Sequence, residues 1–126
     1  MQFEKLMEIA ARLREPDGCP WDKAQTIESM LEPLENEFNE VKELIVQQNH
    51  KNLREELGDL LFQIVGIIQI AKEEGLFTEE EVIKDIYDKV VRRHTWVFGN
   101  DKAETVDEAL RLWEINKSKE KNVDSQ

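Results

Sequence analysis

Apolar residues at Phe3, Leu6, Met7, Ile9, Ala10 and Leu13 fall on one stripe at helical spacing, which predicts a first helix to about Glu15, before Pro16. "EPDGCPW" is dense in turn formers and reads as a loop. Asp22 followed by Gln25 has the spacing of a capping box and predicts the start of a second helix. Pro33 leaves two readings: a kink in that helix, or an end near Leu31 and a new helix with Pro33 in its first turn, where a missing N–H costs little. Leu34, Phe38, Val41, Leu44 and Ile45 form the next stripe, which fades at "QQNHKN". Asn52 with Glu55 predicts the cap of a long helix, about Leu53 to Glu74, apolar nearly all round beyond Leu60 and stopped by Gly75. Thr78 with Glu81 opens a further helix to roughly Trp96, and Thr105 with Glu108 caps a last one through Leu110, Leu112, Trp113 and Ile115.

The expectation is an all-α fold, a bundle of about five helices around a central antiparallel hairpin. It forms a single domain over residues 1–117, followed by a polar tail over 118–126 that frays. A helix apolar on every side is hard to satisfy in so small a monomer. Packing of that helix against its own copy is therefore expected, in a homodimer or homotetramer.

The net charge of −11 argues against a nucleic-acid polymer as partner, and any phosphate ligand requires a local basic cluster or a metal ion. The single cysteine, Cys19, excludes an intramolecular disulfide and fits a reducing compartment. The N-terminal segment has charges spread through it, unlike a signal peptide. The apolar run from Leu60 to Ala71 is shorter than the ~20 residues of a membrane span and is interrupted by Gln63 and Gln69. A soluble, cytoplasmic protein with no membrane partner is expected.

Asp59 stands beside Gly58 among Leu57, Leu60, Leu61 and Phe62, where a carboxylate is costly unless compensated. In the hairpin around "QQNH", Glu40 pairs in level with Glu56 and Glu37 with Asp59, both pairs centred on position 48. Within each helix the members are three apart and share a face. Four carboxylates at one level repel one another, and a divalent cation relieves the conflict. Oxygen ligands without His or Cys point to Mg²⁺ or Mn²⁺. The bland reading of such glutamates is a solvated helix face.

Lys89, Arg92 and Arg93 cluster late in a predicted helix, either complementing its macrodipole or clamping phosphate oxygens; Lys89 and Arg93, four apart, share a face. Trp113, with Lys117 four residues on, is a core residue or a base-stacking platform. Trp21 reads as a plug in the core, Cys19 as a small buried residue and His94 as structural.

Taken together, "LREPDGCPWDKAQT", "EFNEV", "REELGDLLFQ", "EEGLF", "RRHTWVFG" and "LWEINK" resemble the MazG family of nucleoside triphosphate pyrophosphohydrolases over nearly the whole chain. The resemblance implies an all-α enzyme that hydrolyses nucleoside triphosphates to monophosphate and pyrophosphate with Mg²⁺. Glu37, Glu40, Glu56 and Asp59 occupy the positions of the family's magnesium ligands. Lys89 and Arg93 are implied to contact phosphates, and Trp113 to lie near the nucleotide. The chain departs from the pattern at Asn36, where the family has the first Glu of an adjacent pair, and this bears on a second metal or on activation of the attacking water. A lysine that some relatives carry before the first acidic motif has no counterpart at Pro33. The alternatives are a narrower pyrophosphohydrolase, for dUTP, dCTP or phosphoribosyl-ATP, and a non-catalytic helical interaction module. A di-iron site is disfavoured because its ExxH spacing is absent.

Overall fold

The computed structural model describes residues 2–124, with side chains through Glu120; the end of the expected polar tail, 125 and 126, lies outside the described residues. Among the described residues there are only helices and their connections. They are α1 (Gln2–Leu13), α2 (Pro20–Ala24), a 3₁₀ turn (Glu28–Met30), α3 (Leu31–Val46), α4 (His50–Glu73), α5 (Glu79–Arg93), α6 (Thr95–Phe98) and α7 (Val106–Asp124). The five long helices are those predicted from periodicity. No helix among the described residues is long and apolar enough to cross a membrane. The chain forms two compact units, one through Glu79 and one from Glu80.

In the first unit α1 and α3 both pack on α4, around a core of Met7, Ala10, Met30, Val41, Val65, Ile68, Ile70 and Ala71. The loop before α3 is drawn in by Arg14, which donates to the carbonyls of Asp22 and Gln25 and forms a salt bridge to Glu73 of α4 at 2.9 Å. The expected Asp22–Gln25 capping box does not form. Gln25 instead ends the short α2, and the reciprocal cap is made by Thr26 and Ser29, each backbone N–H donating to the other's hydroxyl. Trp21 is 52% exposed and does not plug the core. Pro33 lies in the first turn of α3, the second of its two readings.

Helix α4 starts a turn earlier than predicted, because Asn49 and not Asn52 is its cap: the Asn49 side chain accepts the N–H of Asn52. Both ends of the α3–α4–α5 path close in the same way. After α3, Asn49 N–H bonds to Leu44 and Gln48 N–H to Ile45; after α4, Leu76 N–H bonds to Ala71 and Gly75 N–H to Lys72. Each pattern places one left-handed residue after the helix. At Gly75 (φ 72°) glycine accepts this freely, whereas Gln48 (φ 57°) bears the cost of its Cβ.

In the second unit α5 ends at Arg93 rather than near Trp96. The Asn116 side chain of α7 donates to the Arg93 carbonyl, and His94 breaks the helical backbone before α6. His94 Nδ1 meets the Val90 carbonyl at 2.6 Å, so its role there is the structural one expected. Thr105 caps α7 through the N–H of Glu108, as predicted. The helix then continues past Ser118 to Asp124, because Glu120 is held by two arginines of α5.

Candidate functional site

Position 48, the centre from which the carboxylates were paired, is the left-handed turn residue between α3 and α4. The hairpin thereby sets the level of the acids. One oxygen each from Glu37, Glu56 and Asp59 lies within 4.8 Å of the others, and Glu56 also meets Glu40. All four sequence-predicted carboxylates therefore come together on the α3–α4 pair, with Glu56 between the two glutamates of α3.

The expected distribution of burial is not the one observed. Asp59 is exposed, and so are its neighbours Leu57 and Leu61. The cost of desolvation falls on the half-buried Glu37 and Glu56. With the acids ionised, Glu37 Oε2 and Glu56 Oε1 are shut off from solvent with no donor against them among the described residues. Hydrogen bonding to Glu37 and to Glu40, then burial and the like charges of both, pushes the Glu56 carboxyl from 4.5 up to about 8. A proton held at that point relieves the repulsion among the three glutamates.

Buried acceptors without donors, and a carboxyl that resists ionisation, are what a hard divalent cation corrects: it supplies positive charge and takes oxygen ligands. The donor set fits such an ion. The sequence reading did not single out Gln63, one turn beyond Asp59 on the same face of α4, whose Oε1 is likewise buried and unpartnered. Its seven-residue spacing from Glu56 was the available signal, obscured by the apolar run around it. Asn36 is exposed on α3 beside Glu37.

The basic and aromatic candidates lie in the second unit. Arg93 Cζ is 5.1 Å from the centre of the Trp113 ring, and Lys117 Nζ is also 5.1 Å from it. Trp113 is half-buried, and Lys89 is exposed on α5 one turn before Arg93. The Arg93 side chain forms an ion pair with Glu120.

The profile of the MazG nucleotide pyrophosphohydrolase domain matches residues 25–98, a stretch that contains the four carboxylates, Lys89 and Arg93 but not Trp113. The chain is 43% identical over 121 residues to a nucleoside triphosphate pyrophosphohydrolase of Escherichia coli (strain K12), spanning 95% of this chain and 46% of that protein. It is 43% identical over 119 residues to the nucleoside triphosphate pyrophosphohydrolase/pyrophosphatase MazG of Thermotoga maritima, covering 94% of this chain and 45% of that one. It thus spans about half the length of these curated relatives. The crystal structure of a MazG-related protein from Thermotoga maritima superimposes with a TM-score of 0.75 at 31% identity, over 91% of this chain and 98% of the other. With its acid-bearing helical hairpin inside the matched segment, the chain belongs to the MazG nucleotide pyrophosphohydrolase family.

Proposed function

We propose that this protein hydrolyses nucleoside triphosphates to nucleoside monophosphate and pyrophosphate, with Glu37, Glu40, Glu56 and Asp59 holding a divalent cation, Mg²⁺ or Mn²⁺. The observation that carries the reading is the pair of buried, unpartnered carboxylate oxygens within the three-acid cluster. The activity named for the relatives from Escherichia coli and Thermotoga maritima supports it. A cation held by these four acids would supply Lewis-acid chemistry, polarising phosphate oxygens and favouring attack of water on the α-phosphorus.

The chain's own residues have separable tasks. Glu37 and Glu56 present oxygens that solvent does not reach, while the exposed Asp59 and Glu40 complete the donor set at its open side. Glu56, its carboxyl raised to about 8, holds a proton near neutral pH, which it would have to give up to ligate a cation. Lys89 and Arg93 bind phosphate oxygens, and Trp113 packs near the nucleotide. The substrate is a free nucleotide in the cytoplasm, and the acidic chain repels nucleic-acid polymers.

The same reading includes a homodimer or homotetramer. Leu31, Phe38 and Ile45 repeat at heptad spacing on α3, and Leu57, Leu61 and Ile64 line α4. All are large apolar side chains at least 40% exposed within one chain. A monomer by sedimentation velocity at micromolar concentration contradicts this part of the reading.

Pyrophosphate release from a panel of ribo-, deoxyribo- and damaged nucleoside triphosphates, with and without Mg²⁺, tests the activity. The expected result is release that requires the cation and is lost in Asp59→Asn. The panel includes dUTP, dCTP and phosphoribosyl-ATP, so it also separates the narrower substrates. No release from any triphosphate, with cation-dependent thermal stabilisation intact, assigns the site to a binding module instead.

A further inference from the structure

A guanidinium offers hydrogen bonds along its edges and a planar face for stacking. In Arg93 two of these surfaces are already engaged. Its Nε donates to Glu120 Oε1 and Oε2 at 3.2 and 3.1 Å, and its Nη2 donates to Oε2 at 2.7 Å. Its planar face meets the Trp113 ring at 5.1 Å. Both the Arg93 and Glu120 side chains retain only 15% exposure. Glu120 is also bound by Arg92 Nε at 2.6 Å, so a single carboxylate is shared by two guanidiniums. Lys117 lies over the same indole ring.

We infer that Glu120 is a positioning residue for substrate binding: by taking the Nε and Nη2 edge while Trp113 takes the face, it fixes Arg93 so that the Nη1 edge receives a phosphate oxygen. The inference rests on the reading of Arg93 as a phosphate contact and adds what orients it. An arginine on the last turn of a helix has several rotamers to lose on binding; one already seated by a carboxylate and a ring has lost them beforehand.

The test is steady-state kinetics on Arg93→Ala, Glu120→Ala, Glu120→Asp and the Arg93→Ala/Glu120→Ala double variant, with the best triphosphate of the panel and Mg²⁺. Circular dichroism and thermal melts establish folding. Glu120→Ala is expected to raise KM roughly 10-fold, with the loss in KM rather than kcat. Glu120→Asp should recover most of it, and in the Arg93→Ala background the Glu120 change should add nothing further. If Arg93→Ala raises KM while Glu120→Ala leaves it unchanged or lowers it, Glu120 is a bystander or a competitor of the phosphate, and the inference is overturned. If Arg93→Ala itself leaves KM unchanged, the underlying phosphate reading fails instead, and the inference with it. Should Glu120→Ala not fold, Glu120→Gln, which keeps the shape and one acceptor, carries the same comparison. Should the wild type show no turnover, the comparison is made as Kd for a non-hydrolysable triphosphate by calorimetry.

Discussion

Two helical glutamates of this chain are driven in opposite directions. Glu56 lies on a helix three residues before Asp59 and faces Glu37 and Glu40; their hydrogen bonds and its burial raise its carboxyl to about 8. Glu120 also lies on a helix, among lysines, and hydrogen bonds from Arg93 and then Arg92 hold it at about 2. One cluster is a set of like charges with acceptors left over. The other is closed around its acid, one carboxylate held by two guanidiniums. The contrast teaches where to look for a ligand: a site that binds something is incomplete without it, and a finished ion-pair group serves to hold its members in place.

The largest effect expected from disturbing this contrast is on catalysis. Glu40→Gln is predicted to lower turnover by roughly 10²-fold or more, the scale on which charge stabilisation at a reacting centre is lost. Pyrophosphate release measures it, and near-wild-type turnover would remove Glu40 from the site. The incomplete cluster should also be visible without substrate. Between about pH 4.5 and 8 the folded chain holds a proton on Glu56 that the unfolded chain has released, so stability without a divalent cation falls as pH rises across that window. Glu56→Gln should flatten this dependence and, at pH 8 with chelator, raise the melting midpoint by about 4 °C, the order that ~1 kcal/mol produces in a domain of this size. It should also abolish the proton release that accompanies Mg²⁺ binding in the wild type, read by calorimetry in two buffers of different ionisation enthalpy.

The closed cluster responds with the opposite sign. Glu120 contributes stability that is present above its ordinary value of 4.5 and is lost as pH falls toward 2, so acid should loosen the α5–α7 contact while it relieves the α3–α4 hairpin. Amide exchange at Val90–Arg93 as a function of pH reports this, and no change there between pH 5 and 3 counts against the ion pair. The smallest effect is expected at the hairpin turn. Gln48→Gly removes a left-handed non-glycine residue and should stabilise by ~0.5–1 kcal/mol without altering the carboxylate register. A urea melt measures the gain, and a loss of stability means that the Gln48 side chain makes a contact worth more than its strain.

Much of the site was legible in the chain because two regular features determine it. Helical spacing puts Glu37 with Glu40 and Glu56 with Asp59, and a short polar connection between two apolar stripes fixes the point about which they pair. The cap of α4 lies one turn before the expected Asn52 because Asn49 and Asn52 are equally good caps by type, and only the closing bonds after α3 select the first. Asp59 was expected to bear the cost of burial from its apolar neighbours. Those neighbours are themselves exposed, which a count of leucines does not disclose.

The sequence by itself determined the all-α fold, the five long helices and the grouping of four acids, because each follows from periodicity and turn chemistry within a few turns of chain. Tertiary structure alone decided which acid is driven to keep a proton and which arginine is seated. Burial, and the sign of the charges brought in from another helix, govern both. A glutamate at position 56 or 120 acquires its character from partners many residues away, at distances of a few ångströms that only packing sets.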